Sequence, residues 1–275
     1  MPRPTTALRR RSIAGVLTLL LILPTALSAS IRTEAQGCAA ALGGALSGTD
    51  EQLDTSLDFL SWNIQKATDK GWREDLRNFA SDVDLAFFQE AAVQASITGA
   101  LPVPMYQAFA AGYSTTKRQT GVLTLSSGAP SLRCHLTARE PWLGTPKATS
   151  ITEHPVRDRR ERLLAVNMHA VNFALGLEEF REQVHALEVV MDNHRGPVIF
   201  AGDLNTWSAG RQALIDAFMR KYGLQPVVFA PDLRTTFFGN PLDHVYVRGI
   251  RTGSARVAPV SSSDHNALLV RLEIL

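Results

Sequence analysis

The sequence is short of the features that would make several protein classes easy to recognise. It has two cysteines in 275 residues, and His135, His154, His185 and His194 show no zinc-type paired spacing. It has no internal repeat and no low-complexity block, which argues against solenoid, propeller and disordered-tract architectures. A surplus of one charge is missing too. Four of the 28 basic residues and none of the 26 acidic ones lie in residues 1–28, so the remainder carries 24 against 26, a net charge of −2. That balance excludes the global basic surface from which non-specific duplex DNA binding gains affinity, although nucleic acid stays open as a substrate. What is present is ordinary globular usage, 45% hydrophobic and 20% charged, enough to bury the core of one large α/β domain without staples.

The amino terminus differs from the rest. Arg9, Arg10 and Arg11 precede an apolar run from Ile13 to Ala29, interrupted only by small or uncharged residues such as Thr18, Pro24, Thr25 and Ser28. Residues 1–29 therefore read as a signal peptide, cut after Ser28 through the small residues Ala26 and Ser28, or as an uncleaved membrane anchor. About 17 apolar residues lie at the short limit for a bilayer span, and residues 13–29 are the one route to membrane association. Both readings place the folded part beyond the cytoplasm, periplasmic or secreted in the first case and membrane-tethered in the second. Cys38 is a poor lipidation site, because Ala35, Gln36 and Gly37 lack the apolar residue expected upstream. In an oxidising compartment Cys38 and Cys134 either pair, tying the amino-terminal tail to the domain, or remain free thiols.

Residues 30–56, rich in Ala, Gly, Ser and Thr, show no sustained period and read as a flexible linker, with the domain occupying 57–275. Short β-like runs follow at 57–64, 83–88, 121–125, 132–136, 162–168, 198–200, 245–247 and 267–272. Helical periodicity places Phe180, Val184, Leu187 and Met191 on one face of a helix within 177–194, stopped by Gly196 and Pro197. Further helices are expected at 72–80 and 209–222. This irregular interleaving predicts two packed sheets with helices outside.

Many of the β-like runs end on residues that bind metals, phosphates or protons. Asn63 closes the first, and Glu90 follows the second in Phe87-Phe88-Gln89-Glu90. His169 and Asn172 sit in Asn167-Met168-His169-Ala170-Val171-Asn172, and Asp203 and Asn205 in Gly202-Asp203-Leu204-Asn205, where Gly202 permits close backbone approach. Asp243 opens Asp243-His244-Val245, and Asp264 and His265 stand in Ser263-Asp264-His265 before the closing strand. Taken singly, each is as well explained by a turn or a strand-end acid. So many such clusters in one structural domain are improbable.

In this order the motifs closely resemble the endonuclease/exonuclease/phosphatase superfamily over residues 57–275. The resemblance implies a four-layer α/β sandwich, DNase I-like, with two mixed sheets flanked by helices. It implies phosphoester hydrolysis with Mg²⁺ or Mn²⁺, held principally by Glu90 and assisted by Asn63 and Asp264. By the same likeness His265 acts as general base or electrostatic partner, oriented by Asp243. Asp203 orients or deprotonates water, Asn205 holds a phosphate oxygen, and His169 donates to the phosphate. Asn172, Asn205 and Trp207 are the candidate substrate-binding residues. Two departures stand out: His244 follows Asp243 where relatives carry an aromatic or aliphatic residue, and no acid is evident to support His169. The run 157–162, with four arginines, is either a cationic rim or a solvated turn. Trp72 and Trp142 are more simply read as core anchors than as substrate contacts.

The expected activity is therefore a phosphodiesterase, nuclease foremost, with a phospholipid, sphingomyelin or inositol-phosphate phosphoesterase as the alternative. A phosphate-binding module that has lost turnover is the alternative from another class, and the complete residue set speaks against it. No feature calls for an obligate protein partner.

Overall fold

The computed structural model describes residues 23–44, 51–141, 143–172 and 176–275, with side chains from residue 30 onward. The elements run α1 (Leu23–Ala41), β1 (Ser56–Asn63), α2 (Trp72–Phe79), β2 (Leu85–Ala92), β3 (Tyr106–Ser114), β4 (Gln119–Ser126), β5 (Leu132–Arg139), β6 (Pro146–His154) and β7 (Leu163–His169). They continue α3 (Glu178–Asp192), β8 (Val198–Asp203), α4 (Ala209–Lys221), β9 (Gln225–Pro226), β10 (Thr236–Phe237), β11 (Asn240–Pro241), β12 (Asp243–Arg248), β13 (Ile250–Ala258) and β14 (Ala267–Ile274).

Two six-stranded sheets form, in the orders β13-β14-β1-β2-β4-β3 and β5-β6-β7-β8-β12-β9. The layer between them contains Leu57, Phe59, Leu85 and Phe87 from one sheet and Leu163, Ala165, Ile199, Ala201, Val245 and Val247 from the other. Phe59 and Phe87 meet edge to face, with ring centroids 4.9 Å apart. The remaining face of the first sheet carries Leu60, Trp62 and Phe88, covered by Trp72 and Leu76 of α2. The remaining face of the second carries Leu164, Val166 and Met168 against α1, α3 and α4. On α3 the predicted stripe Phe180, Val184, Leu187 and Met191 is buried, each side chain contributing about 1.5–3 kcal/mol of apolar burial. The result is the two packed sheets with helices outside that the strand and helix pattern predicted, and the four-layer sandwich that the family resemblance implied.

Alternation along the strands delivers the chemistry. Successive side chains point to opposite faces, so the inter-sheet series 57, 59 on β1 continues to Asn63. The series 163, 165 on β7 continues to Asn167 and His169, and 199, 201 on β8 to Asp203. On β12, 247 and 245 lead to Asp243. β1 runs parallel to β2, and β7 parallel to β8, so their carboxyl ends coincide. β12 runs antiparallel to β8 with Asp243 opposite Asp203. The inter-sheet layer is thus apolar at one end and polar at the other.

The amino-terminal region requires a correction. Residues 30–41, expected to be part of a flexible linker, are helical, with Ile31, Ala35 and Cys38 buried against α3 and β5. Those three positions follow an i, i+4, i+7 spacing that the surrounding Ala and Gly obscure. Cys38 is bonded to Cys134 on β5. Leu53 pairs with Val156 and is also buried, so the end of the expected linker belongs to the core. Among the described residues no helix is long and apolar enough to cross a membrane. The apolar run from Ile13 to Ile22, and Trp142, lie outside the described residues.

Candidate active site

At the polar end of the inter-sheet layer, Asp203 is the hub. Asn63 donates from Nδ2 to Asp203 Oδ2 at 3.0 Å. His169 Nε2 lies 3.5 Å and His265 Nε2 3.9 Å from the same oxygen. The backbone N–H of Asn205 donates to Asp203 Oδ1 at 3.1 Å, and Asn205 Nδ2 donates to the carbonyl of Ala170. On the far side of His265, Nδ1 lies 2.7 Å from Asp243 Oδ2. Trp62 Nε1 and Ser263 fix the loop carrying His265, through the carbonyls of His265 and Asn63.

Burial works against both charged groups, yet the pair settles in opposite senses. For Asp203 burial is the leading influence and raises its carboxyl to about 6, although His265 pulls it down. For His265 burial alone favours the neutral ring, but Asp243 and Asp203 outweigh it and raise the imidazole to about 10. Near neutral pH the site therefore sets a carboxylate against an imidazolium. That charge state fits the electrostatic one of the two roles expected for His265.

Asp203, Asp243 and His265 also place one ligand atom each within 4.8 Å of one another, a spacing that suits a metal. The 2.7 Å contact between His265 and Asp243 is hydrogen-bond length and leaves no room for an ion between those two atoms. Asn63 and Glu90 offer oxygen donors of the kind a hard divalent cation takes, and the Oε1 atoms of Gln65, two residues after Asn63, and of Gln89, just before Glu90, are buried and unpartnered. Glu90 is aimed by an irregular turn of backbone: φ is +52° there, at a register shift in the β2–β4 ladder. Gln65, Lys66 and Ala67 also have positive φ. Such backbone costs on the order of 1–3 kcal/mol per residue and is typically retained where function needs it. Lys66 Nζ lies 2.6 Å from Glu90 Oε2, so a cation there must displace the ammonium.

Asp264 does not join this group. It is exposed at its loop, where its carbonyl meets Thr235, and it stays outside the Asp203, Asp243 and His265 trio. One residue before a histidine bound on its inward face, Asp264 is turned toward solvent. Trp207 is half-buried, with the Arg211 guanidinium 4.8 Å from its ring centre. Asn172 is held through its backbone, its N–H donating to Glu140 Oε1 and its carbonyl accepting from Arg211.

Several residues at the site carried no recognisable motif. Arg211, fully buried, donates to the carbonyls of Val171, Asn172 and Asn205, and so braces the loops after β7 and β8 together. On sequence it looked like one charge among many on a helix. Gln89 donates to Asn167 across the two sheets, and Asn167 donates to the carbonyl of Leu123. Continuing the alternation past the apolar stretch would have found both. Lys147 lies 2.8 Å from His169 Nε2 and 3.8 Å from Glu140. This resolves the missing acid: the group on His169 is a lysine, with Glu140 behind it. Burial and Lys147 together hold His169 well below its ordinary range. The other departure is structural, since His244 points away from Asp203 and is bound by Thr206, Pro241 and Arg234.

The charged run 157–162 leads into the amino end of β7, whereas His169 ends that strand at the site. Arg157 pairs with Asp54 and Arg162 with Glu153, so the run is a tethered turn and not a substrate rim.

The sequence matches the Endonuclease/Exonuclease/phosphatase family over residues 60–265, an interval that contains each of these site residues. The chain belongs to that family. It is 40% identical to the UPF0294 protein of Vibrio cholerae over 230 residues, covering 81% of this chain and 80% of that protein. In fold it is similar to an endonuclease/exonuclease/phosphatase from Beutenbergia cavernae, with TM-score 0.61 and 14% identity over 80% of this chain and 72% of that one. It is also similar to sphingomyelinase C from Streptomyces griseocarneus, with TM-score 0.57 and 18% identity over 78% of this chain and 99% of that one. At these identities the structural likenesses establish the fold, and the family is one of hydrolytic phosphoesterases.

Proposed function

We propose that this protein is an exported phosphodiesterase dependent on Mg²⁺ or Mn²⁺, with a nucleic acid strand as its substrate. The observation that carries the reading is the linked set Asp243, His265, Asp203 and Asn63, with contacts of 2.7, 3.9 and 3.0 Å. Asp203 accepts a proton from the attacking water. The His265 imidazolium, fixed by Asp243, offsets charge on the phosphate as it builds. Asn205, locked by Ala170 and Asp203, orients that end of the phosphate. Asn63 and Glu90 would hold the divalent cation, which when bound would neutralise charge on the leaving oxygen.

Export is supported by the arginine-led apolar segment and by the bond between Cys38 and Cys134, which persists in oxidising compartments. A cut after Ser28 would fall within α1 and leave the disulfide-bonded part of that helix on the domain. Substrate stacking is supported by Phe237 and Phe238, 53% and 80% exposed on the β10–β11 hairpin. Asn240 of that hairpin donates to the carbonyl of Trp207, next to the site. Exposed aromatics stack bases without regard to sequence. The same tip favours one second reading, a phospholipid phosphodiesterase with the hairpin in the lipid interface.

The full chain, purified with detergent, should be assayed against plasmid DNA, RNA, sphingomyelin and inositol phosphates with Mg²⁺, Mn²⁺ or chelator. We expect cleavage of nucleic acid, lost with chelator and in Glu90→Gln and His265→Ala. Turnover that survives chelation, or that is equal in both variants and the wild type, defeats the mechanism. Cleavage of sphingomyelin alone moves the assignment to the second reading.

A further inference from the structure

His169 was expected to donate a hydrogen bond to the phosphate. Its Nε2 is instead 2.8 Å from Lys147 Nζ, and an ammonium offers three donors and no acceptor. The ring nitrogen on that side therefore serves Lys147 as an acceptor. Lys147 stands at the head of β6, after Pro146, with its side chain only 13% exposed. Glu140, 2% exposed, sits 3.8 Å behind the ammonium and also accepts from the Asn172 backbone. A half-buried lysine held from two sides, with hydrogens to spare, is a poor surface ornament. It lines a cleft of about 180 Å³ together with His169, Glu90 and Lys66.

We propose that Lys147 is a substrate-binding residue whose ammonium holds a non-bridging oxygen of the scissile phosphate, aimed by His169 and Glu140. This rests on the phosphodiesterase reading and names the cation that reading lacks on the β6 side of the site. His169 becomes a positioning residue: it acts through Lys147 and need not touch the substrate. The arrangement joins Glu140, Lys147, His169, Asp203, His265 and Asp243 by contacts of 3.8, 2.8, 3.5, 3.9 and 2.7 Å.

The test compares the full chain with Lys147→Met and Lys147→Arg. The probes are inorganic phosphate, for binding in the presence of Mg²⁺, and bis(p-nitrophenyl) phosphate, for kinetics. A charge-assisted hydrogen bond predicts that Lys147→Met weakens phosphate binding, and raises KM for the diester, by roughly 10- to 100-fold. Lys147→Arg should recover most of that loss, and Mn²⁺ affinity should match the wild type in both. Phosphate binding by Lys147→Met as tight as in the wild type overturns the proposal. So does a Lys147→Arg protein that folds but binds no better than Lys147→Met. Should Lys147→Met fail to fold, Lys147→Gln takes its place under the same criteria. A wild-type protein that neither binds phosphate nor cleaves any phosphoester refutes the phosphodiesterase reading itself, which separates that failure from this one.

Discussion

Asp203 and His265 face each other across 3.9 Å, both with their ionisation raised above that of ordinary side chains. Burial raises Asp203 to about 6 and the two carboxylates raise His265 to about 10, so both are charged between those values. The sign of the pH dependence follows. If Asp203 must accept a proton, kcat/KM rises as pH climbs through about 6; if His265 must be charged, it falls as pH climbs through about 10. Asp243→Asn removes the strongest influence raising His265, so the alkaline limb should move toward neutral pH. Asp203→Asn should lower kcat by about 10²- to 10⁴-fold at every pH. A pH–rate profile for the three proteins decides this. An alkaline limb that stays put in Asp243→Asn would show that the imidazolium is not what the rate requires. These positions were legible in the sequence because Asp203 ends an apolar run, while Asp243 and His265 stand at or just before the start of one. Lys147 was not, because its own strand is written in Thr, Ser, Glu and His and has no visible alternation.

The same cause separates the elements that could be read in advance from those that could not. β1, β2, β7, β8 and β14 carry clear apolar runs, and α3 carries a four-residue stripe, so each was placed to within a few residues. β6 buries Thr149, Ser150, Thr152, Glu153 and His154, of which Ser150 bonds Thr124 across the sheets, Thr152 bonds His154 and Glu153 bonds Ser131 and Arg162, and it reads as loop. β3 and β13 lie at sheet edges with half-exposed faces. In the part of α1 whose side chains are described, from residue 30, the buried side chains besides Ile31 are the small Ala35 and Cys38. The disulfide is then its main tether, closing 96 residues of chain. Loops of that size give about 2–4 kcal/mol in practice, mainly by restricting the unfolded chain. Cys38→Ser with Cys134→Ser, or reduction of the wild type, should lower stability by that amount in urea unfolding. Proteolysis should then cut within residues 30–41 before the sandwich unfolds. A helix that stays protected after reduction would show that Ile31 and Ala35 suffice.

On the scale of the whole molecule, one inter-sheet layer serves as core at one end and as candidate active site at the other, and basic and acidic residues are nearly balanced in number. Cleavage after Ser28 leaves 24 basic and 26 acidic residues. A nuclease that grips duplex DNA through many phosphates loses affinity steeply with salt, because each neutralised phosphate releases a counterion. Here the cations nearest the chemistry are Lys147, His265 and Lys66, and Lys66 is already paired with Glu90. We therefore expect log kcat/KM for DNA cleavage to fall against log salt with a slope of about −1 to −2, corresponding to one or two phosphates. Aromatic stacking at Phe237 and Phe238, which is insensitive to salt, would supply the rest of the affinity. Phe238→Ser should then raise KM for DNA while leaving the salt slope alone. The measurement is initial rate from 50 to 300 mM NaCl at fixed Mg²⁺. A slope near −6 would demand an extended basic track, and nucleic acid recognition would then have to be carried by many more phosphate contacts than this site offers.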